Sequence, residues 1–333
     1  MGDFAVLSDG GWGTALALVL HGNGHRVRLW GFFPDYVREM RASRENTRFL
    51  PGIPLPEGLE LTADLAAAVD GAEQVVLASP AQYLRGLLER LASLSLPERT
   101  ILVNVAKGIE TGTLKRMSEL VEDMLGRRRY AVFSGPSHAE EVARRIPTAV
   151  VAASRDASVY EAVQEAFSND FLRVYSSHDV TGVELGGALK NVLALAAGVC
   201  DGMGFGDNSK AAMMTRGIRE MARLGVALGG RAETFSGLSG VGDLFVTCMS
   251  RHSRNRFVGE QLGKGRALAD IVAEMGGKVA EGVTTAESAY QLAQRNHVET
   301  PIIEQVYAGL YQGRDPREAV RALMSRGGKP EHL

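Results

Sequence analysis

Within its first thirty residues the chain reads as strand, glycine turn, helix and strand. Residues 4–7 (Phe-Ala-Val-Leu) form a short apolar run, stopped by Ser8-Asp9-Gly10-Gly11. Residues 12–20 are rich in Ala and Leu, as a helix is, and residues 25–30 alternate polar and apolar with the period of two of a strand. This βαβ unit leaves few folds open, because its parallel strands belong in a sheet covered on both faces. Further strands are expected at 74–78, 100–104, 130–133 and 149–152, with helix-like runs at 83–93 and 114–125. After about Asp179 the pattern changes to Ala/Leu/Met-rich helical runs at 185–199, 209–228, 256–262, 268–274, 284–295, 302–310 and 316–324. The expected organisation is an α/β domain with a mostly parallel sheet over 1–180 and an all-α domain over 181–333. The boundary falls between Tyr175 and Leu185.

A length of 333 residues suits two domains. With 37 Lys+Arg against 39 Asp+Glu, the net charge is −2, which removes the electrostatic motive for binding nucleic acid or acidic membranes. The two cysteines, Cys200 and Cys248, form neither a disulfide framework nor a zinc motif and fit a reducing cytosol. The seven histidines are scattered without metal spacing, so no metal is expected. Neither a signal peptide nor an uninterrupted apolar run long enough to span a bilayer is visible, and the expected location is cytoplasmic.

Several short segments could carry chemistry. The first turn is one residue short of G-x-G-x-x-G, with Ser8 in the first position. Gly10 would let the backbone approach a pyrophosphate, Gly13 would let the helix pack on the sheet, and the helix N-terminus would receive the phosphates. A glycine turn with no ligand is the other reading. Lys190 lies in an apolar helix, where desolvation disfavours its charged form and suits it to acid–base work. Spacing alone favours a lysine snorkelling to the surface. Asp243 sits among small residues, and Arg254 and Asn255 at a helix start could clamp a phosphate or belong to a solvated basic loop. Lys107-Gly108 and Gly135-Pro136-Ser137 each follow a strand, where an open α/β sheet places its ligands or an ordinary turn stands. Gly259-Glu-Gln-Leu-Gly263-Lys264 imitates a P-loop but has the wrong glycine spacing and no Ser or Thr after the lysine.

In order along the chain come Trp12-Gly-Thr-Ala-Leu-Ala17, Leu50-Pro-Gly-Ile53, Ser79-Pro-Ala-Gln82, Lys107-Gly108 and Ser134-Gly-Pro-Ser-His-Ala-Glu-Glu141. They continue with Gly187-Ala-Leu-Lys-Asn-Val192, Asp201-Gly-Met-Gly-Phe-Gly-Asp-Asn208, Leu238-Ser-Gly-Val-Gly-Asp-Leu244, Ser253-Arg-Asn-Arg256 and Ala280-Glu-Gly-Val283. Taken together they resemble the bacterial-type NAD(P)-dependent glycerol-3-phosphate dehydrogenases over nearly the whole chain. The resemblance implies a Rossmann domain, an all-α substrate-binding and catalytic domain, and a cleft between them. The implied reaction interconverts dihydroxyacetone phosphate and sn-glycerol 3-phosphate with NAD or NADP, feeding glycerophospholipid synthesis. It implies Lys190 as the acid–base on the C2 oxygen, with Asp243 orienting it. Lys107, Gly135, Ser137, Asp243, Ser253, Arg254 and Asn255 would hold substrate. Gly10, Gly11, Trp12, Gly13, Phe32, Lys107, Ala139, Arg254, Val279 and Glu281 would touch the dinucleotide. A homodimer is implied as well.

Two features depart from the family pattern. The turn begins with Ser8 in place of glycine, and Asp9 adds an acid near the expected pyrophosphate. The second strand is followed by Gly31-Phe32-Phe33-Pro34, which offers neither a cation for a 2′-phosphate nor an acid for ribose hydroxyls. The Phe32 ring could cover an adenine, so NAD is favoured over NADP, although Arg38 and Arg41 follow in the next helix. The competing readings are another two-domain hydroxy-acid dehydrogenase and a catalytically dead nucleotide sensor.

Overall fold

A computed structural model describes residues 1–328, 330 and 331; residues 329, 332 and 333 of the expected C-terminal domain lie outside the described residues. The strands are β1 Asp3–Leu7, β2 Arg26–Trp30, β3 Glu45–Asn46, β4 Leu50–Pro54, β5 Glu60–Thr62, β6 Gln74–Leu77, β7 Ile101–Asn104, β8 Arg129–Ser134, β9 Thr148–Ala153 and β10 Leu172–Ser177. Helices α1 Gly11–Gly22, α2 Pro34–Ser43, α3 Leu65–Val69, α4 Leu84–Ala92, α5 Met117–Leu125, α6 Ala139–Val142 and α7 Ala157–Phe167 are interleaved with them. Eight strands form one sheet in the order β10-β9-β8-β7-β6-β1-β2-β5, while β3 and β4 make a separate hairpin. Every pair in the large sheet is parallel except β8–β9. The order turns back at β1, which lies between β6 and β2, so a crevice opens beyond the carboxyl end of β1.

The pleat of β1 divides its side chains between two cores. Phe4 and Val6 pack on one face with Leu16 and Leu20 of α1, and Ala5 and Leu7 pack on the other with Leu84, Leu88 and Leu120. Both faces are therefore covered, as the near-continuous apolar run required.

The helical part begins with α8 Val180–Gly202, followed by α9 Asp207–Ala227, α10 Ala232–Phe235, α11 Asp243–Met249, α12 Arg254–Gly263, α13 Leu268–Glu274, α14 Glu281–Arg295, α15 Pro301–Tyr311 and α16 Pro316–Met324. Asp179 starts α8, its carboxylate accepting from the Gly182 N–H at 2.8 Å. Helices α9, α11, α12 and α14 surround α8 and bury it almost throughout. By length and composition α8 is apolar enough to cross a membrane, but Glu184 and Lys190 interrupt its apolar run, in keeping with the expectation that no uninterrupted run would be long enough. The composition instead reflects a core helix, and it holds buried Glu184, Lys190 and Asn191.

The glycines that imitate a P-loop are a packing face. A Cβ on Gly259 would stand 2.0 Å from the Leu195 carbonyl oxygen, and one on Gly198 would stand 2.0 Å from that of Arg256. Backbone meets backbone here, so neither helix can yield locally. Gly259→Val is expected to lower stability by about 3 kcal/mol or more. Gly86→Ala in α4, where a Cβ meets nothing within 4 Å, should be neutral or stabilising. Urea midpoints check both, and equal midpoints would sink the packing argument.

Candidate active site

The carboxyl ends of two strands, the middle of one helix and the starts of two others deliver the candidate residues to one cleft. Lys107 follows β7, and Gly135 and Ser137 follow β8. Lys190 lies midway along α8, Asp243 opens α11 after a π-helical turn at Leu238–Gly242, and Arg254 opens α12. Asp243 joins the two lysines. Lys190 Nζ donates to its Oδ1 at 2.7 Å, and Lys107 Nζ donates to its Oδ2 at 2.6 Å. All three are enclosed, and Asp243 is 1% exposed.

Counting donors separates the roles of the lysines. Lys107 also donates to the Gly135 carbonyl at 2.9 Å and to Ser137 Oγ at 3.2 Å, so its three N–H groups are all engaged. Gly135 holds φ +134°, in the region that favours glycine, and this backbone turns its carbonyl to Lys107. Lys190 makes one further bond, to Thr247 Oγ1 at 2.7 Å. Thr247 donates its own hydrogen to the Asp243 carbonyl at 2.6 Å, which leaves its oxygen free to accept. Lys190 therefore keeps one N–H for a ligand. Thr247 was absent from the sequence reading, but its i, i+4 spacing from Asp243 places it on the same helix face.

Charge follows the same geometry. Burial disfavours ionised Asp243, but the flanking Lys107 and Lys190 outweigh it and hold the carboxyl below the usual aspartate range. Burial lowers the pKa of Lys107 to about 8, with Asp243 opposing and Lys190 reinforcing the drop. Two ammoniums around one carboxylate give the pocket a net positive charge, suited to an anionic substrate and a developing alkoxide.

At the α12 end, Ser253 caps the helix, its Oγ accepting from the Arg256 N–H at 3.2 Å. Arg254 is exposed and reaches the Val279 carbonyl at 3.5 Å. Asn255 is engaged as a brace: it donates to Asn191 Oδ1 and accepts from the Gly282 N–H, each at 2.9 Å. The brace ties α12 to α8 and α14, a role the sequence did not suggest. Glu281, at the start of α14, accepts from the Ala81 N–H at 2.9 Å, while its other oxygen is buried without a partner among the described residues. Burial raises its pKa to about 7, against the Ala81 N–H and Arg254.

The first turn presents an uncapped helix end. Gly10 is the cap position of α1, with no side chain satisfying the first N–H groups. Ser8 holds φ +126° in place of the expected glycine, strain of about 1–3 kcal/mol. Ala139 and Gly11 lie side by side, a Cβ on Gly11 standing 3.6 Å from that of Ala139. The Trp12 indole nitrogen is buried without a partner among the described residues. Free N–H groups and small residues fit a dinucleotide pyrophosphate. Asp9 requires a correction: its carboxylate packs against Gly31 after β2, where a Cβ would stand 2.5 Å from Oδ2. The Asp9 carbonyl is pinned by Asn46 Nδ2 at 2.7 Å and Thr14 Oγ1 at 3.4 Å, which fixes the peptide carrying that side chain. Phe32 is 58% exposed, edge-on to Trp30 with ring centroids 6.0 Å apart.

Comparison with known proteins agrees along the whole chain. Residues 3–160 match the family described as NAD-dependent glycerol-3-phosphate dehydrogenase N-terminus, and residues 179–321 match its C-terminus. The chain is 49% identical over 329 residues to glycerol-3-phosphate dehydrogenase [NAD(P)+] of Chlorobium phaeobacteroides strain BS1, covering 98% of each. It is 51% identical over 330 residues to the enzyme of that name from Geobacter sp. strain M21, again covering 98% of each. The crystal structure of glycerol-3-phosphate dehydrogenase from Coxiella burnetii is similar at TM-score 0.94 and 39% identity, over 98% of this chain and 99% of that one.

Proposed function

The chain belongs to the NAD-dependent glycerol-3-phosphate dehydrogenase family, and from that premise we propose how its cleft works. It is an oxidoreductase that interconverts dihydroxyacetone phosphate and sn-glycerol 3-phosphate with NAD or NADP, and the alternatives of a hydroxy-acid dehydrogenase or a dead sensor are not favoured. Residues 1–180 bind the dinucleotide and those from 181 onward bind substrate. The working form is a cytoplasmic homodimer, which sedimentation of the purified chain checks.

The observation that carries the mechanism is the one unassigned N–H of Lys190 in a pocket of net positive charge. The bound dinucleotide supplies or takes the hydride. In reduction, Lys190 gives its free proton to the C2 oxygen as the C=O π bond opens and C2 gains hydrogen. In oxidation, Lys190 takes the hydroxyl proton back. Asp243 and Thr247 aim the ammonium, and Lys107 fixes Asp243 while cradling Gly135 and Ser137. Arg254 and the first N–H groups of α12 receive the substrate phosphate, with Ser253 and Asn255 setting the helix end. Gly10, Gly11, Trp12 and Gly13 would line the pyrophosphate, Phe32 would cover the adenine, and Ala139, Val279 and Glu281 would touch the dinucleotide.

Arg254→Ala should reduce kcat/KM for dihydroxyacetone phosphate by about 10- to 100-fold, the worth of a charge-assisted hydrogen bond. The value for unphosphorylated dihydroxyacetone should stay within about twofold, since that substrate has no phosphate to lose. Equal losses for both substrates would place Arg254 elsewhere. The assay, nicotinamide absorbance with each substrate, also tests the activity itself.

A further inference from the structure

The end of β2 lacks the acid that commonly accepts adenosine ribose hydroxyls in dinucleotide folds. After Trp30 the first acid is Asp35, and it is paired with Arg38. Asp9, arriving from the neighbouring strand, stands at the vacant position. Its side chain lies against Gly31, where the missing Cβ leaves it room, and it is 7% exposed. Its Oδ2 is buried and, among the described residues, has no hydrogen-bond donor. Burial raises its pKa, with only its own backbone N–H and Arg48 in opposition, as for a carboxylate short of partners. A buried acceptor without a donor calls for an explanation, and a ligand diol supplies donors.

The neighbouring cations are engaged elsewhere. Arg38 holds Asp35, and Arg41 Nε donates to the Leu61 carbonyl at 2.7 Å. Arg44 Nε donates to the Leu55 carbonyl at 3.1 Å, and Arg48 holds Glu39 at 2.8 Å. Arg90 lies over the rings of Trp30 and Phe32, at 5.0 and 5.3 Å from their centroids.

We propose that Asp9 determines dinucleotide specificity: its carboxylate accepts the adenosine ribose hydroxyls and its charge rejects a 2′-phosphate, so the chain prefers NADH to NADPH. The expected NAD preference thereby acquires a carboxylate in addition to the Phe32 ring. The proposal rests on the first turn being the dinucleotide site and is independent of the role of Lys190.

Calorimetric titration of the full chain with NADH and with NADPH tests it, in the unmodified protein, Asp9→Ala and Asp9→Asn. The unmodified protein should bind NADH at least about 10-fold more tightly. Asp9→Ala should bring the two Kd values within about threefold, by tightening NADPH and weakening NADH. Asp9→Asn, which accepts but carries no charge, should fall between and carries the test if the alanine variant does not fold. The thermal midpoint of a folded Asp9→Ala should equal or exceed that of the unmodified protein, because a buried carboxylate with one unpartnered oxygen has gone. An unchanged Kd ratio in the variants, or an NADPH preference in the unmodified protein, overturns the role of Asp9 alone. Failure to bind either dinucleotide overturns the reading of the first turn as well.

Discussion

Lys190→Ala should fold, bind dinucleotide with unchanged Kd, and lose about 10²- to 10⁴-fold in kcat, the usual worth of a positioned acid–base group. The fold should survive because of the charge count. The intact pocket encloses two ammoniums and one carboxylate. Without Lys190, Lys107 and Asp243 remain as a neutral, hydrogen-bonded pair, so no uncompensated charge is buried. Lys107 should not substitute, because its three N–H groups are already held by Asp243, Gly135 and Ser137. The measurement is kcat beside Kd and the thermal midpoint. A kcat equal to that of the unmodified protein would remove Lys190 from the chemistry, and a collapsed midpoint would show that its role is structural.

Features governed by local pattern were legible in the sequence. The opening βαβ unit declared itself because β1 is apolar, its turn is rich in glycine and β2 alternates. Strand β10 was missed because its Leu-Arg-Val-Tyr-Ser-Ser sequence is half exposed at the sheet edge and lacks the apolar run of a central strand. The β3–β4 hairpin was missed because β3 is only two residues long. Within the site, Lys190 was visible as a charge in an apolar helix. Its bonding to Asp243, 53 residues away, and the joining of Lys107 to Asp243 across 136 residues depend on how two domains meet. No spacing rule carries that information; the expectation that Asp243 orients Lys190 came with the family resemblance, and the bond from Lys107 to Asp243 emerged only from the structure. Asp9 shows the limit most directly. The turn pattern places an acid near the pyrophosphate, whereas the side chain's direction depends on Asn46 and Thr14 pinning its carbonyl and on Gly31 leaving space.

The central carboxylate should prove the most sensitive position of all. In Asp243→Asn the amide oxygen can accept from one lysine, but the amide nitrogen faces the other, donor against donor. Two buried ammoniums would then lack a counter-charge, and removing one partner of a buried ion pair costs about 3–5 kcal/mol. Activity should fall with stability, because Lys190 loses its aim. Failure of this variant alone would not separate a damaged fold from a damaged site, so the decisive variant is Lys107→Met in the Asp243→Asn background. It removes the second ammonium and leaves Lys190 with the new amide oxygen and Thr247. Stability should recover by several kcal/mol, whereas Lys107→Met alone should be mildly destabilising, since it removes three hydrogen bonds while leaving Lys190 and Asp243 paired. The same substitution would thus change sign with the residue at 243. Turnover should stay low in the double variant, because an amide orients an ammonium less strongly than a carboxylate does. Urea unfolding of the four proteins in the cycle measures the coupling. Additive costs would mean that Asp243 does not bridge the two lysines, and the donor count that singles out Lys190 would fall with it.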